Sequence, residues 1–411
     1  MNKFIELYSK NLTYRKLYLA NLVSRLGDML EIVAITIFMY KLTNSALLTG
    51  LTMVISVIPN ILFAPIAGAL VDHYINYRLL CWTSIGRCIL VLWVPIAIYL
   101  DIITFWQIYI IGFCVSIFET IFTSAHNTII PLFIAEEDLG TAFSFLKSGT
   151  DSIQIIGLML GGIIVSVLGP SISIILDSLS FFITALILIN VFGKVKEIEK
   201  RDRNIFKESM EGLFYIKQIS LLMILFFTGF IINITIVPIN LYIPVILNEN
   251  NVVSGFLSGL LFASAPTGMF IGSISFPYFE KSINDKNRFI LSILFMLIGF
   301  VILYIYSFMY LYSIAFLIIG FAISISFITA MVKIQILTDR DFLGRVNALN
   351  TAVSLIGVPI AYLIAGTMID FNGLKMWFLG SIILLSLTVI VLPFTNWRII
   401  KETNNDENCN Y

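Results

Sequence analysis

The chain alternates long apolar stretches with short polar ones, and this pattern predicts its main elements. A helix needs roughly 20 apolar residues to cross the hydrocarbon core of a bilayer, which is about 30 Å thick. About twelve stretches reach that length, and each must be helical because lipid offers no partner to an open backbone. They fall at about 17–40, 46–71, 79–100, 104–126, 142–168, 171–193, 219–247, 253–277, 289–308, 310–333, 347–369 and 374–396. The pattern predicts an all-α membrane protein whose transmembrane helices we number as spans one to twelve.

The sequence also repeats with a period of half its length. When the chain is shifted by 204 residues, glycine falls on glycine at three places, and one Leu-Gly pair falls on another. The matches are Gly68 with Gly272, Gly162 with Gly366, Gly169 with Gly373, and Leu139-Gly140 with Leu343-Gly344. Parallel repeats of this kind are one of the common plans of transporters, and they put the substrate site between the halves near the bilayer midplane.

The repeat predicts two pseudo-symmetric six-helix halves joined by a charged segment at mid-chain. The predicted parts are an N-terminal six-helix bundle at 1–193, a cytoplasmic linker at 194–217, a C-terminal six-helix bundle at 218–397 and a cytoplasmic tail at 398–411. With a cytoplasmic N-terminus, the inside segments hold nineteen Lys and Arg residues and the outside segments only Lys41 and Lys375. The positive-inside rule therefore predicts a multi-pass protein of the cell membrane with both termini in the cytoplasm.

Composition agrees with a chain whose surroundings are mostly lipid. Apolar residues make up 59% of the sequence and charged residues 12%, whereas soluble domains have about 25% charged residues. The formal net charge is zero, so charge gives no reason to expect a nucleic-acid partner. Four scattered Cys and two His residues give no metal-ligand or disulfide spacing, so we expect no metal and no cofactor.

Span one contains three ionisable side chains, Arg25, Asp28 and Glu31. An ionisable residue inside a span costs about 2.5–3.5 kcal/mol on insertion scales, so each one needs a reason. The spacing of three residues puts all of them on one side of the helix. The charges also exclude a cleavable signal peptide, whose core is uncharged.

Two interpretations of span one remain open at this point. In the first, Arg25 and Asp28 form a local pair that neutralises itself, which leaves Glu31 unexplained. In the second, Asp28 and Glu31 are carboxylates of a central cavity. Burial disfavours the charged form of a carboxylate, so such a group can hold a proton in one conformation and exchange it for a cationic or polar substrate in another.

Other ionisable residues inside the spans have alternatives as well. Glu119 in span four is either a second cavity carboxylate or the partner of Arg87 in span three, which lies near mid-depth and needs a carboxylate. Lys147 and Asp151 have the i,i+4 spacing of a self-neutralising pair. Lys333 is expected to extend to the cytoplasmic surface.

Several glycines have the spacing that lets two helices pack closely. The pairs with this spacing are Gly157 with Gly161, Gly255 with Gly259, and Gly268 with Gly272. If these glycines lie between the halves, they let the halves rock against each other. If they lie inside a half, they serve static packing, and spacing alone does not separate the two.

The loop after span two reads Gly68, Leu70, Asp72 and, at its basic end, Arg78. It resembles the signature loop of the major facilitator superfamily, with Ile75 where that family has a second glycine. Further stretches resemble the drug-exporter branch that includes macrolide-efflux proteins, and span four lacks the Arg of many proton-coupled exporters. Those stretches are Ser24-Arg25-Leu26-Gly27-Asp28, Ile130-Pro131-Leu132, Gly344-Arg345-Val346, and Gly157-Leu158-Met159-Leu160-Gly161-Gly162, where Leu158 replaces the exporters' proline.

The resemblance implies a cytoplasmic gate and identifies the helices that form the contact between the halves, which we call the seam. In the family, spans two, five, eight and eleven lie at the seam between the halves, and Gly162 and the paired glycines are on spans five and eight. An Asp72 carboxylate at the cytoplasmic end of span two would bond to the start of span eleven near Arg345, because a helix N-terminus carries partial positive charge. The resemblance also implies an Asp at the position of Asp177 in span six, but it assigns no role to this residue.

The function expected from these features is export of lipophilic or cationic small molecules by proton antiport, the activity behind multidrug efflux and antibiotic resistance. The alternative is a facilitator of another substrate, such as a lipid, a metabolite or a siderophore, because the scaffold does not fix the substrate. A membrane-embedded enzyme is disfavoured, since neither a phosphate-binding glycine loop nor a catalytic cluster occurs. The expected partners are the lipid bilayer, a small-molecule substrate and protons, with the chain acting as a monomer.

Overall fold

A computed structural model describes most of the chain, namely residues 8, 11–63, 66–67, 70–71, 77–134, 136–189, 216, 219–250, 254–338, 342–395 and 397. Thirteen α-helices and no strands occur among these residues. The N-terminal half contains α1 Leu12–Thr43, α2 Ala46–Leu62, α3 Tyr77–Tyr99, α4 Phe105–Ile129, α5 Glu136–Leu168 and α6 Pro170–Ile189. The C-terminal half contains α7 Ser220–Ile236, α8 Ile239–Glu249, α9 Gly255–Ser282, α10 Asp285–Ile305, α11 Met309–Leu337, α12 Leu343–Asn372 and α13 Leu374–Val391.

The helices reproduce the predicted spans, with one span broken in two. Nine segments of the described chain are long and apolar enough to cross a membrane, and one of them, Ser220–Glu249, joins α7 and α8. That span is interrupted at Val237 and Pro238, because proline lacks the N–H that a continuous helix needs. Two shorter apolar helices and the charged α1 account for the other three spans. The predicted linker at 194–217 and tail at 398–411 lie outside the described residues, apart from Ile216.

Local sequence explains where the helices begin and end. Asn11 and Ser45 cap α1 and α2, since their side chains accept hydrogen bonds from Tyr14 N and Leu48 N at 3.0 and 3.1 Å. Asn44 ends α1 with a φ of 49°, a left-handed conformation that asparagine tolerates. The resulting two-residue connection makes α1 and α2 antiparallel neighbours.

Packing divides the helices into two bundles joined along a narrow seam. In the N-terminal half α6 packs against α1 and α3, and in the C-terminal half α11 packs against α9 and α10. The largest contacts between the halves are α5 with α9 and α2 with α12. The first contact joins spans five and eight, and the second joins spans two and eleven. The repeat relates the two contacts, because span two corresponds to span eight and span five to span eleven.

The glycines are divided between this seam and the interiors of the halves. Gly162 faces the backbone of Gly259 across the seam. Gly157 and Gly161 instead face Met29 and Val33 of α1, within the N-terminal half. Gly268 and Gly272 face Leu317 and Phe321 of α11, within the C-terminal half. Of the two alternatives left open for the paired glycines, packing inside a half applies to Gly157, Gly161, Gly268 and Gly272. The third pair, Gly255 and Gly259, faces Ile163 and Met159 of α5 across the seam.

A second correction concerns Lys333 of α11. Its side chain is buried, and its Nζ lies 3.2 Å from the Asp285 carboxylate at the start of α10. Arg288 also pairs with Asp285, at 2.8 Å, and donates to the Thr329 hydroxyl at 3.0 Å. Lys333 therefore does not extend to the surface, because a carboxylate within reach compensates its charge inside the bundle.

Candidate functional site

The site is built on α1, which lies close to α6 because of Gly27. A side chain at position 27 would collide with Ser180 and Asp177 of α6. This close contact turns Ser24 and Asp28 towards the interior of the N-terminal half, where both are buried. Asp28 there meets Arg87 of α3.

Arg87 is a buried cation with partners on two helices. Its guanidinium group forms an ion pair with the Asp28 carboxylate and donates to the Ser24 hydroxyl at 3.3 Å. The group also lies 3.8 Å from the centroid of the Phe181 ring, a distance typical of a cation–π contact. The partner of Arg87 is thus Asp28, and the alternative that paired it with Glu119 is not observed.

Arg25 extends the pair into a cluster. Its Nη1 lies 3.5 Å from Asp28 and 3.6 Å from Glu119 of α4, and its side chain is 44% exposed. Arg25, Asp28, Arg87 and Glu119 form what we call the ion cluster. The local pair of Arg25 with Asp28 exists, but it belongs to a chain of alternating charges that connects three helices.

Two more carboxyl groups lie beside the ion cluster and close to each other. They are Glu31 of α1 and Asp177 of α6, whose side chains interact across the contact between these helices. Neither forms an ion pair among the described residues. Asp177 is fully buried, and the Ser180 hydroxyl donates to its Oδ1 at 3.5 Å. We call these two residues the carboxyl pair.

Asp177 is the site residue for which the sequence suggested no role. Its Oδ2 has no hydrogen-bond partner among the described residues. Sequence alone could flag it only as an unpaired acid in a span, because its neighbour Glu31 is on a helix 146 residues away in the chain. The contact depends on how α1 and α6 are rotated towards each other.

A central cavity of about 300 Å³ lies above the ion cluster, towards the predicted outer side. Glu31 and the whole ion cluster line it, together with apolar residues of α1 to α4 and the polar side chains Thr52, Ser56, Asn60 and Ser116. Val237, Val358 and Tyr362 contribute the C-terminal half of the wall. The cavity therefore lies between the halves, with its charge on one side.

A second cavity of about 290 Å³, which we call the N-terminal cavity, lies on the opposite, predicted cytoplasmic side of the ion cluster. Its other lining residues come from α1, α4 and α5: Asn21, Ser24, Phe122, Thr123, His126, Asn127, Phe143, Leu146, Lys147 and Thr150. All four residues of the ion cluster line both cavities. The ion cluster thus lies between the two cavities, and its charged side chains are accessible from both.

The gating residues suggested by the sequence are only partly described. Gly68 and Asp72 lie outside the described residues, and so does the side chain of Arg345 at the start of α12. Arg78 is exposed at the start of α3. The cytoplasmic latch from Asp72 to Arg345 therefore stays a prediction.

The predicted outer ends of the halves, in contrast, are joined by Asp370. This residue lies near the end of α12 and accepts hydrogen bonds from the start of α2. The donors are Ala46 N at 2.6 Å, Leu47 N at 3.0 Å and the Ser45 hydroxyl at 2.5 Å. A carboxylate at a helix N-terminus satisfies free N–H groups and the positive end of the helix dipole. The two halves are thus in direct contact at their predicted outer ends.

We expect an Asp370→Ala variant to open this outer end more often. Loss of a cap costs about 0.5–2 kcal/mol, so the ratio of open to closed molecules should rise by roughly twofold to thirtyfold. The measurement is labelling of a single Ser56→Cys reporter in the central cavity by a membrane-impermeant maleimide added outside, with the native cysteines replaced. An Asp101→Asn variant, which removes an exposed charge from another outer turn, is the control and should label like the parent. Equal labelling of both variants would show that Asp370 does not hold the ends together.

Comparison with known proteins identifies the family of the chain. The profile described as Major Facilitator Superfamily matches residues 17–362. Macrolide efflux protein A of Streptococcus pyogenes is 24% identical over 400 residues, which cover 94% of this chain and 96% of that protein.

Solved structures resemble the fold as a whole. A bacterial homologue of the iron transporter ferroportin, crystallised in an inward-facing state, has a TM-score of 0.75 at 15% identity and covers 94% of this chain and 98% of that one. The nucleoside transporter NupG has a TM-score of 0.71 at 14% identity, covering 93% and 97%. At such low identities these structures establish the fold only, and they agree with twelve spans in two halves.

Proposed function

The chain belongs to the Major Facilitator Superfamily, and we propose that it exports lipophilic or cationic small molecules from the cell in exchange for protons. That it is a multi-pass membrane transporter follows from the family and the helices. The observation that carries the finer proposal is the ion cluster with the adjacent carboxyl pair. Four carboxyl groups accompany two cations there, and Asp28, Glu31 and Glu119 line a cavity between the halves.

The excess of carboxyl groups supports a cationic or proton-exchanging site. Asp28 is compensated by Arg87 and Arg25, and Glu119 by Arg25. The described ion pairs include none for Glu31 or Asp177. A group with no fixed counter-ion can change its protonation without leaving a buried cation unpaired.

Antiport follows if proton and substrate compete for the same carboxylate. Glu31 lines the central cavity, while Asp177 lies behind it and is buried. A substrate cation that enters the cavity would favour ionised Glu31, and the released proton would leave on the side to which the cavity is open. When the cavity faces the other side, a new proton would displace the substrate. Two ligands that exclude each other from one site are coupled in this way.

The lipophilic character of the substrate is supported by the cavity wall and by a relative. Most residues that line the central cavity besides the ion cluster are apolar, among them Ile32, Ile35, Met53, Val57 and Val94. Ligand pockets of this type bind apolar groups on their walls and use a few polar groups for orientation. The Streptococcus pyogenes relative bears the name of a macrolide efflux protein.

We also propose that the protein acts as a monomer in the cell membrane with both termini in the cytoplasm. The uneven distribution of Lys and Arg supports this orientation. In this orientation the contacts of Asp370 and Gly162 close the outer side, and the N-terminal cavity lies towards the cytoplasm. The site would then collect its substrate from inside the cell, as export requires.

The test is transport by the purified full chain in proteoliposomes. A panel of labelled cationic, neutral and anionic lipophiles would be measured with and without a pH difference across the membrane. We expect a cationic or neutral lipophile to move against its gradient only when protons can flow the other way. Movement that ignores the pH difference would contradict antiport. No movement of any lipophile, together with transport of a polar metabolite, would favour the facilitator alternative.

A further inference from the structure

A third cavity lies in the C-terminal half, and the site described above does not include it. This C-terminal cavity has a volume of about 280 Å³ and lies between α7, α10, α11 and α12, near their predicted cytoplasmic ends. Its lining residues are Leu225, Phe226, Gly229, Phe230, Ile232, Asn233, Ile236, Phe289, Ile323, Ser326, Phe327, Ala330, Met331, Ile334, Asn350 and Val353. None of its lining residues belongs to the central cavity.

The C-terminal cavity and the N-terminal cavity are related by the internal repeat. A shift of 204 residues carries nine of the fourteen residues around the N-terminal cavity onto residues around the C-terminal one. The nine pairs are Asn21 with Leu225, Arg25 with Gly229, Asp28 with Ile232, Glu119 with Ile323, Phe122 with Ser326, Thr123 with Phe327, His126 with Ala330, Asn127 with Met331, and Leu146 with Asn350. The two halves therefore form the same cavity twice.

The two copies differ in polarity. Three residues of the ion cluster, Arg25, Asp28 and Glu119, correspond to glycine and two isoleucines in the C-terminal half. None of the described residues that line the C-terminal cavity carries a charge. Two of its polar groups are already satisfied, since the Asn233 amide donates to Gly229 O and the Ser326 hydroxyl to Ile323 O, both at 2.9 Å.

The lining indicates the class of ligand. Four phenylalanines and a methionine surround the space, namely Phe226, Phe230, Phe289, Phe327 and Met331. Aromatic rings prefer edge or offset contacts with other rings, and methionine sulfur adapts to their edges. A volume of this size is close to the lower end of small-molecule pockets, which hold roughly 300–1,000 Å³. The space suits an uncharged aromatic group and offers no partner to an ion.

We propose that the C-terminal cavity is a second ligand site, which binds a neutral lipophile or the aromatic part of an amphiphilic substrate. The N-terminal half would then hold the charge and the proton, and the C-terminal half the apolar body. The choice of a lipophile as the substrate rests on the proposed function, whereas the existence of the cavity and its polarity do not.

Gly229 offers a direct way to fill the cavity. No atom lies within 4 Å of the position that a β-carbon would take there. A leucine at this position therefore meets open space, and leucine also favours the helix more than glycine does. Ala330, on the opposite wall, corresponds to the larger His126 in the repeat. Gly229→Leu and Ala330→Leu should thus fill the cavity from α7 and from α11 without disturbing the fold.

The experiment measures binding of N-phenyl-1-naphthylamine, a neutral two-ring fluorophore, to the full chain in lipid nanodiscs. Empty nanodiscs give the background of partitioning into lipid. We expect a saturable component in the parent protein that weakens roughly tenfold or more in Gly229→Leu and in Ala330→Leu, because the leucine occupies the space of a ring. Gly380→Leu is the matched control: it adds the same side chain on α13, outside all three cavities, where the nearest atom to a β-carbon is 3.9 Å away. It should bind the probe like the parent.

Three results would overturn the inference. These are no saturable binding by the parent, unchanged binding in both filled variants, or loss of binding in Gly380→Leu alone. Either filled variant decides the matter if the other fails to fold. The assay uses no pH difference, so it is independent of antiport. Saturable binding that is lost on filling the cavity, in a protein that shows no proton-driven transport, would keep this site and contradict the proposed function.

Discussion

A Glu31→Gln variant should carry substrate down its gradient but no longer concentrate it. Glutamine keeps the size of the side chain, but it cannot release a proton. With one proton exchanged per substrate, a pH difference of one unit corresponds to 1.36 kcal/mol and sustains about a tenfold substrate gradient. We therefore expect the parent protein to build a gradient of that order and the variant to build none.

The measurement is accumulation of a transported lipophile in proteoliposomes at an imposed pH difference, beside counterflow exchange without one. Glu280→Gln makes the same change at an exposed position of α9 and should accumulate substrate like the parent. Asp177→Asn should resemble Glu31→Gln, because the two carboxyl groups lie close enough to affect each other's charge. Undiminished accumulation in both variants would move proton coupling away from the carboxyl pair, with Glu119 as the next candidate.

An Arg87→Leu variant should lose much of its stability. The guanidinium group is buried, and its removal leaves Asp28 in the interior with only the half-exposed Arg25 at 3.5 Å. Breaking a buried ion pair by removing one partner costs about 3–5 kcal/mol, because the remaining charge is uncompensated. The contact with the Phe181 ring is lost as well. We expect the free energy of unfolding to fall by an amount of that order.

A double variant separates the ion pair from the packing of the side chain. Arg87→Leu with Asp28→Leu removes both charges, and apolar replacement of a buried pair is often neutral or stabilising. The double variant should therefore regain most of the stability but none of the proton-driven transport. Lys147→Leu, which breaks the exposed pair with Asp151, should change stability by less than about 1 kcal/mol. Unfolding in increasing denaturant measures all three, and equal losses in Arg87→Leu and Lys147→Leu would contradict the role given to Arg87.

The division of charge between the halves links these predictions to the C-terminal cavity. Arg25, Asp28 and Glu119 make the N-terminal half sensitive to protons and ions, whereas Gly229 and its neighbours make the matching space apolar. A transporter organised in this way could change its lipophilic ligand through the C-terminal half without disturbing proton exchange. Effects of Glu31→Gln on coupling and of Gly229→Leu on binding should accordingly be independent, since distant sites without shared partners add.

Much of the architecture could be predicted from the sequence, because it depends on lengths and spacings along the chain. The length of an apolar run decides whether a helix can cross a bilayer, and the twelve runs were sufficient for the fold class. The period of 204 residues revealed the two halves, and the same period later related two cavities. The spacing of Lys147 and Asp151 predicted their ion pair at 2.6 Å, since both lie on one helix.

Contacts between helices could not be predicted from the sequence in the same way. Span one showed three charges on one side, but which carboxylate Arg87 would meet depended on the rotation of α1 and α3. The link from Glu31 to Asp177 depended on Gly27, which lets α1 approach α6. Glycine spacing indicates close packing without identifying the partner helix. Gly162, Gly255 and Gly259 lie at the seam, whereas the other four glycines, Gly157, Gly161, Gly268 and Gly272, pack inside a half. The sequence by itself thus determined the spans, the repeat and the presence of charge in span one, while the tertiary structure decided the partners, since each partner lies on a different helix and its distance is set by packing in three dimensions.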